Sequence, residues 1–171
     1  MLTKKVLDLL NDQIQKEFYS SYLYLSMSAY FLNEGLDGFA NWFNVQAQEE
    51  KDHAMLIYNY INRVDERITL KPIEGPPVDF DSIEDVLDKT LEHEKFVTAS
   101  IYTIVDAALE ARDHKTNSFL EWFVNEQVEE EENANKNITD YKLVKGDGKG
   151  IMLLDRELAA RVYVPVTATT A

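Results

Sequence analysis

The chain has 171 residues, 45% of them apolar and 11% aromatic, which fits one domain of ordinary size with a substantial core and speaks against disorder. It has no cysteine; disulfides, thiolate-bound zinc, iron–sulfur clusters and thiol nucleophiles are therefore excluded, and a reducing compartment fits. With 17 basic against 31 acidic side chains and a formal net charge of −14, the chain opposes nucleic acid and anionic membranes, where clustered Lys and Arg must displace counterions, and favours cations as ligands.

Apolar residues recur at helical spacing through most of the chain, and Gly and Pro punctuate it at a few points. Lys4 and Lys5 precede a short apolar stretch that Asp8, Asn11 and Asp12 interrupt. No signal peptide and no membrane-spanning run is expected there, and the chain reads as soluble and cytoplasmic. A first helix is predicted from about Thr3 to Leu32 and is broken by Asn33 to Gly35; Asp37 before Gly38 is placed to cap a second helix reaching about Arg67. The stretch Ile68 to Asp81 carries Pro72, Gly75, Pro76 and Pro77, which do not suit a helix interior, and Ser82 is the expected N-cap of a third helix ending near Ala111. After a polar turn around Asp113 and His114, a fourth helix continues to about Lys145, where Gly146, Gly148 and Gly150 stop it. A short fifth helix, about Ile151 to Arg161, leads into a Thr- and Ala-rich tail, 162–171, to which no role is assigned. The resulting division is a four-helix unit over 1–145, a short helix over 146–161 and the tail, all in one domain.

Connection lengths set the topology. The second helix spans roughly 43 Å at about 1.5 Å per residue, and an extended linker of about 16 residues reaches roughly 53 Å. One crossover can therefore run the length of the bundle, while the two short turns make their helix pairs antiparallel. The expected fold class is all-α: an up-down four-helix bundle with one long crossover between the second and third helices, as in ferritin-like bundles.

A helix packed in a bundle keeps residues seven apart on nearly one face. The four tracks read Leu10, Glu17, Tyr24, Phe31; Phe43, Glu50, Ile57, Val64; Leu87, Glu94, Ile101, Ala108; and Thr116, Phe123, Glu130, Asn137. One glutamate interrupts each track near mid-helix. A companion track, Phe39, Gln46, His53, Tyr60, puts His53 one turn from Glu50 on the same inward side. Any single glutamate is more often a solvated position, but four such coincidences are not, and the run Glu129 to Glu132 sweeps about 300° and cannot be only a solvated face. Buried unpaired carboxylates cost several kcal/mol each and repel one another. Lys16, Lys51 and Lys95 each adjoin a track glutamate in sequence and so point about 100° away from it. A metal ion is the better neutraliser, and oxygen-rich ligation with one imidazole suits iron or manganese.

These residues resemble the haem-free ferritins of bacteria and archaea. The resemblance runs from Leu10-Asn11 through Glu17-Phe18-Tyr19-Ser20-Ser21 and Gln48-Glu49-Glu50-Lys51-Asp52-His53 to Glu126-Gln127-Val128-Glu129-Glu130-Glu131, and includes the fifth helix. It implies a di-iron centre in which Glu17 and His53 bind one iron, Glu50 bridges, and Glu94 with Glu130 binds the second, with Gln127 as a polar neighbour. A third, looser iron position is implied at Glu49, Glu126 and Glu129, where surface acids are the plain alternative. Tyr24 matches a tyrosine implicated in electron supply, and a core aromatic is its ordinary reading, as it is more strongly for Trp122. His93 and His114 are read as surface residues. The Glu-x-x-His template of di-iron bundles is met on the second helix but becomes Gln127-x-x-Glu130 on the fourth, unlike a bacterioferritin. Position 52 is Asp where that relative carries its haem-ligating methionine, so no haem is expected.

The resemblance further implies an iron-storage protein that oxidises Fe(II) with dioxygen and keeps Fe(III) mineral inside a homo-oligomeric shell of twenty-four subunits, without nucleic-acid or membrane partners. Ile151, Met152, Leu153, Leu154 and Leu158 suit subunit contacts, with packing on the subunit's own bundle as the alternative. Rival readings are a DNA-protecting mini-ferritin, which places iron between subunits and usually carries basic extensions; a small di-iron oxidase or oxygenase, for whose substrate pocket little chain length is spare; and a metal-free bundle, which leaves the placement of Glu50 and His53 unexplained.

Overall fold

A computed structural model describes residues 2–166. Five helices follow one another: α1 (Lys4–Asn33), α2 (Asp37–Arg63), α3 (Ile83–Glu110), α4 (His114–Val144) and α5 (Gly148–Leu158), and the described residues contain no strand. The tail residues 167–171 lie outside the described residues.

Helix ends follow local chemistry. Ser82 caps α3 as expected, its hydroxyl accepting from Asp85 N at 3.1 Å, and Asp113 caps α4 through Thr116 N at 3.2 Å. The chain reverses after α1, α2 and α3 at Gly35, Asp65 and Arg112, all with positive φ. Each reversal is closed by an amide reaching five residues back, as in Leu36 N to Phe31 O at 2.9 Å. Asp65, at φ 60°, ends α2 at Arg63, four residues before the expected Arg67, because Asp tolerates the left-handed region better than most side chains.

Two further expectations need correction. Asp37 does not cap α2; Leu36 holds the cap position without a side-chain bond. The amides of Gly38 and Phe39 instead donate to Asp155 Oδ1 of α5, both at 2.9 Å, so a carboxylate distant in sequence serves the positive end of α2. The fifth helix begins at Gly148 rather than Ile151, because Asp147 accepts from Lys149 N at 3.1 Å and caps it there.

The α2–α5 junction is tight. A Cβ built on Gly38 would lie 1.6 Å from the Asp155 carbonyl oxygen, a backbone atom that cannot step aside. Gly38→Ala is expected to displace α5 and cost about 1–3 kcal/mol, as overpacking does elsewhere. Denaturant unfolding of the variant checks this, and an unchanged midpoint would show that α5 is loosely docked.

Side-chain contacts give the helix directions. Ser21 bonds the Ala47 carbonyl and Ser28 the Ala40 carbonyl, so α1 and α2 run antiparallel. Lys16 reaches Ser100, Ser20 meets His93 and Thr90 meets Met27, so α1 and α3 are antiparallel as well. Helices α2 and α3 are therefore parallel, and the 64–82 connection must travel the bundle's length, as its extent allows. Buried Asn11 anchors it at one end, accepting from Thr69 N at 2.7 Å. Ser26 bonds the Pro77 carbonyl at 2.6 Å and Phe80 packs edge-on against Tyr30 at the other.

The core is split. One apolar cluster holds Phe31, Phe39, Phe43 and Leu87; the other holds Leu10, Ile57, Ile101 and Phe123. Tracing the first three tracks from one cluster to the other crosses the glutamate of each, and on α4 Glu130 lies between Phe123 of one cluster and Ile138 of the other. The bundle therefore has two hydrophobic halves with an acidic layer between them.

Candidate metal centre

All four track glutamates are buried, none more than 4% exposed, and His53 is 1% exposed. Helical geometry requires this, because each sits seven residues from core side chains on either side. Ligand atoms of Glu17, Glu50 and His53 converge within 4.8 Å of one another, as do those of His53, Glu126 and Glu130. His53 belongs to both groups. Its Nδ1 is 3.3 Å from Glu50 Oε2 and its Nε2 is 3.9 Å from Glu126 Oε1.

Neutral donors supply most of the support the cluster has. Gln13 donates to Glu17 Oε1 at 2.8 Å, Gln46 to Glu50 Oε1 at 3.3 Å and Glu130 Oε2 at 2.7 Å, and Gln127 to Glu94 Oε2 at 3.2 Å. The buried Tyr24 hydroxyl donates to Glu94 Oε1. Among the described residues no Lys or Arg pairs with Glu17, Glu50, Glu94 or Glu130; Lys16 turns to Ser100 at 2.5 Å, and Lys51 and Lys95 are exposed.

Four acids without a cation cannot all stay ionised. Burial, followed by the charge of Glu50, pushes the carboxyls of Glu17 and Glu94 up to about 8. Burial and then the charge of Glu94 does the same to Glu130, at about 8. Burial with the charge of Glu130 raises Glu50 well above the carboxylate range. Burial and the Glu94 charge likewise raise the Tyr24 phenol. Glu17 Oε2 and His53 Nε2 are buried without a hydrogen-bond partner among the described residues, an arrangement that costs free energy unless something else binds there. Hard oxygen donors, one imidazole and two orphaned acceptor-type atoms fit a divalent or trivalent transition ion.

The outer positions divide. Glu49 and Glu126 are half-buried at the cluster's edge and Glu129 is exposed; of the three only Glu126 joins a convergent group, and the charges of Glu129 and Glu49 raise it after burial does. Trp122 lies edge-on to the His53 ring with centroids 5.3 Å apart. His114 is exposed, as expected. His93 is not a surface residue: it is half-buried between α1 and α3, its Nε2 2.7 Å from Ser20 Oγ and its ring against Tyr19 and Tyr24. Burial lowers its pKa to about 4. The heptad tracks missed it because it lies on the flank of α3 that α1 covers.

Gln13 and Gln46 act on the cluster without having been singled out from sequence for that purpose. A signal existed: each stands four residues before a track glutamate, one turn away on the same face.

A family profile described as "Ferritin-like domain" matches residues 7–144. The chain is 42% identical to a bacterial non-heme ferritin of Campylobacter jejuni over 156 residues, covering 91% of this chain and 93% of that one. A bacterial non-heme ferritin of Staphylococcus aureus is 37% identical over 163 residues, covering 95% and 98%. Among solved structures, an engineered closed form of the Archaeoglobus fulgidus ferritin superposes with a TM-score of 0.94 at 40% identity, covering 96% of this chain and all of that one. A humanized archaeal ferritin superposes with a TM-score of 0.95 at 39% identity over the same shares.

Proposed function

The chain belongs to the ferritin family, and from that membership and its buried acidic layer we propose that it stores iron, oxidising Fe(II) at a centre inside each subunit. The observation that carries the reading is the set of four buried glutamates and His53, of which Glu17, Glu50 and His53 converge, as do His53 and Glu130 with Glu126, with no Lys or Arg paired to the four acids among the described residues. In this reading Fe(II) is substrate. Glu17 and His53 hold one ion, Glu50 bridges, and Glu94 with Glu130 holds the second, while Gln127 and Tyr24 orient Glu94. Glu49 and Glu126, with Glu129 at the rim, make a third and looser position. No haem is bound.

Hard anionic oxygens stabilise the higher charge of Fe(III) more than that of Fe(II), which drives oxidation by dioxygen. Ionised, the glutamates are ligands; protonated, they are not, so loading requires them to release protons. Gln13, Gln46 and Gln127 hold the carboxylates in place before metal arrives, which lowers the entropic cost of assembling the site. The apolar halves on either side keep bulk water out.

Storage needs a cavity, and the proposal includes a homo-oligomeric shell of twenty-four cytoplasmic subunits. No described helix is long and apolar enough to cross a membrane. Large apolar side chains nevertheless remain exposed, among them Leu32 at 59%, Leu70 at 64% and Leu153 at 65%, which suits faces that other subunits cover. On α5, Leu154 packs on the subunit's own bundle while Met152 and Leu153 stay outside.

Sedimentation of the purified protein before and after aerobic Fe(II) loading tests the storage role. A single species of about 24 times the 19.7 kDa subunit mass, growing denser with iron, is expected from a closed shell. A folded monomer or small oligomer would remove storage and leave only oxidation.

A further inference from the structure

Beyond α5 the chain runs back along α2. Asn41 Nδ2 holds the carbonyls of Leu158, Ala159 and Arg161 at 3.4, 3.3 and 3.0 Å. Further on, Asp52 Oδ2 accepts from the Tyr163 hydroxyl at 2.6 Å and from Val166 N at 3.0 Å. Between these two anchors Arg161 turns inward. Its Cζ lies 4.4 Å from the centre of the Trp42 ring, and Nη1 donates to the Trp42 carbonyl at 3.3 Å and to Gln46 Oε1 at 2.8 Å. Nη2 donates to Glu49 Oε2 at 2.5 Å.

A guanidinium only donates. Gln46 must therefore turn its oxygen towards Arg161, which leaves its NH2 for the interior, where it meets Glu130 and Glu50. The Arg161 fork thus touches Glu49 directly and the inner acids through one amide. Glu126 stands near the same edge, and the unpartnered His53 Nε2 faces it from inside. The planar fork and the Trp42 stack suit arginine and not lysine.

We propose that residues 159–166 form a strap whose Arg161 is a tethered cation: it occupies by its own charge the edge of the centre where a loosely held iron would share Glu49 and Glu126. Filling of that outer position displaces the guanidinium from Glu49 and loosens the strap. This rests on the iron reading above. A fixed charge there neutralises Glu49 while iron is absent, and gives way only when an ion of higher charge competes for the same oxygens.

Hydrogen exchange of the assembled, metal-free protein tests the strap without iron. Arg161→Gln is expected to speed exchange of the Val166 amide, which Asp52 holds, by about tenfold, as release of a local contact does; unchanged exchange there overturns the strap whatever the protein does with iron. Anaerobic Fe(II) calorimetry tests the competition. Arg161→Gln is expected to tighten the weakest of the Fe(II) binding events about fivefold, the upper end for an ion pair that water still reaches, and to change the tighter ones, which it meets only through Gln46, by less. That gain should vanish in a Glu49→Gln background. Equal weak binding in parent and Arg161→Gln, or a gain that survives Glu49→Gln, overturns the competition. Absence of any Fe(II) binding by the parent sinks the iron reading and the competition together, while the exchange result still stands or falls alone.

Discussion

Replacing Glu50 and His53 together by alanine is expected to slow Fe(II) oxidation by at least about 100-fold. Losing partners in a metal site's outer shell alone costs about 10–100-fold, and this pair removes the proposed bridging carboxylate and the one imidazole. Both are buried, 3.3 Å apart, and His53 is common to the two convergent ligand groups. The fold should survive, since the change deletes a buried carboxylate together with the imidazole beside it, and the apolar halves above and below are untouched. Stopped-flow absorbance after mixing with aerobic Fe(II) reads the rate, and circular dichroism verifies the helices. Oxidation by the double variant at the parent's rate would mean that the centre is elsewhere.

The second large effect belongs to the metal-free protein. Glu17, Glu94 and Glu130 titrate at about 8 in the fold, against the ordinary glutamate value of 4.5, with burial the main cause. Below the unfolded value both states are protonated and the acids cost nothing. As pH rises from about 4.5 to about 8, the unfolded chain ionises freely while the fold resists, so stability falls through that window and levels off above it. Each tenfold change in proton affinity corresponds to about 1.4 kcal/mol, so a single such acid takes away up to about 5 kcal/mol; the four share their mutual repulsion and do not add. Chelator-treated protein at fixed concentration should therefore unfold at markedly lower denaturant at pH 8 than at pH 5. Anaerobic Fe(II) should restore most of the difference at pH 8, because the ion offsets the charge the fold otherwise resists. Glu17→Gln should raise metal-free stability at pH 8 and leave it unchanged at pH 5. A denaturation midpoint independent of pH would mean that the acids are solvated.

That stability cost is the physical counterpart of the function. An acidic layer held between two apolar halves is poor structure, and in the proposed reading the same layer holds the iron, so the stability cost and the metal site share one origin.

The heptad tracks were readable from residues alone because helix geometry is rigid: every seventh side chain returns to nearly the same face, so Glu17, Glu50, Glu94 and Glu130 had to be interior once their neighbours were. The Ser82 cap and the reach of the 64–82 connection were equally local, and with them the parallel pairing of α2 and α3. Only the folded chain decided that Asp155 caps α2, that α1 covers His93, that Gln46 turns its amide inward and that Arg161 meets Glu49. These contacts join residues far apart in sequence, and no period links them. They depend on where helix ends and a connecting segment come to rest, which packing of the whole bundle settles and local spacing does not.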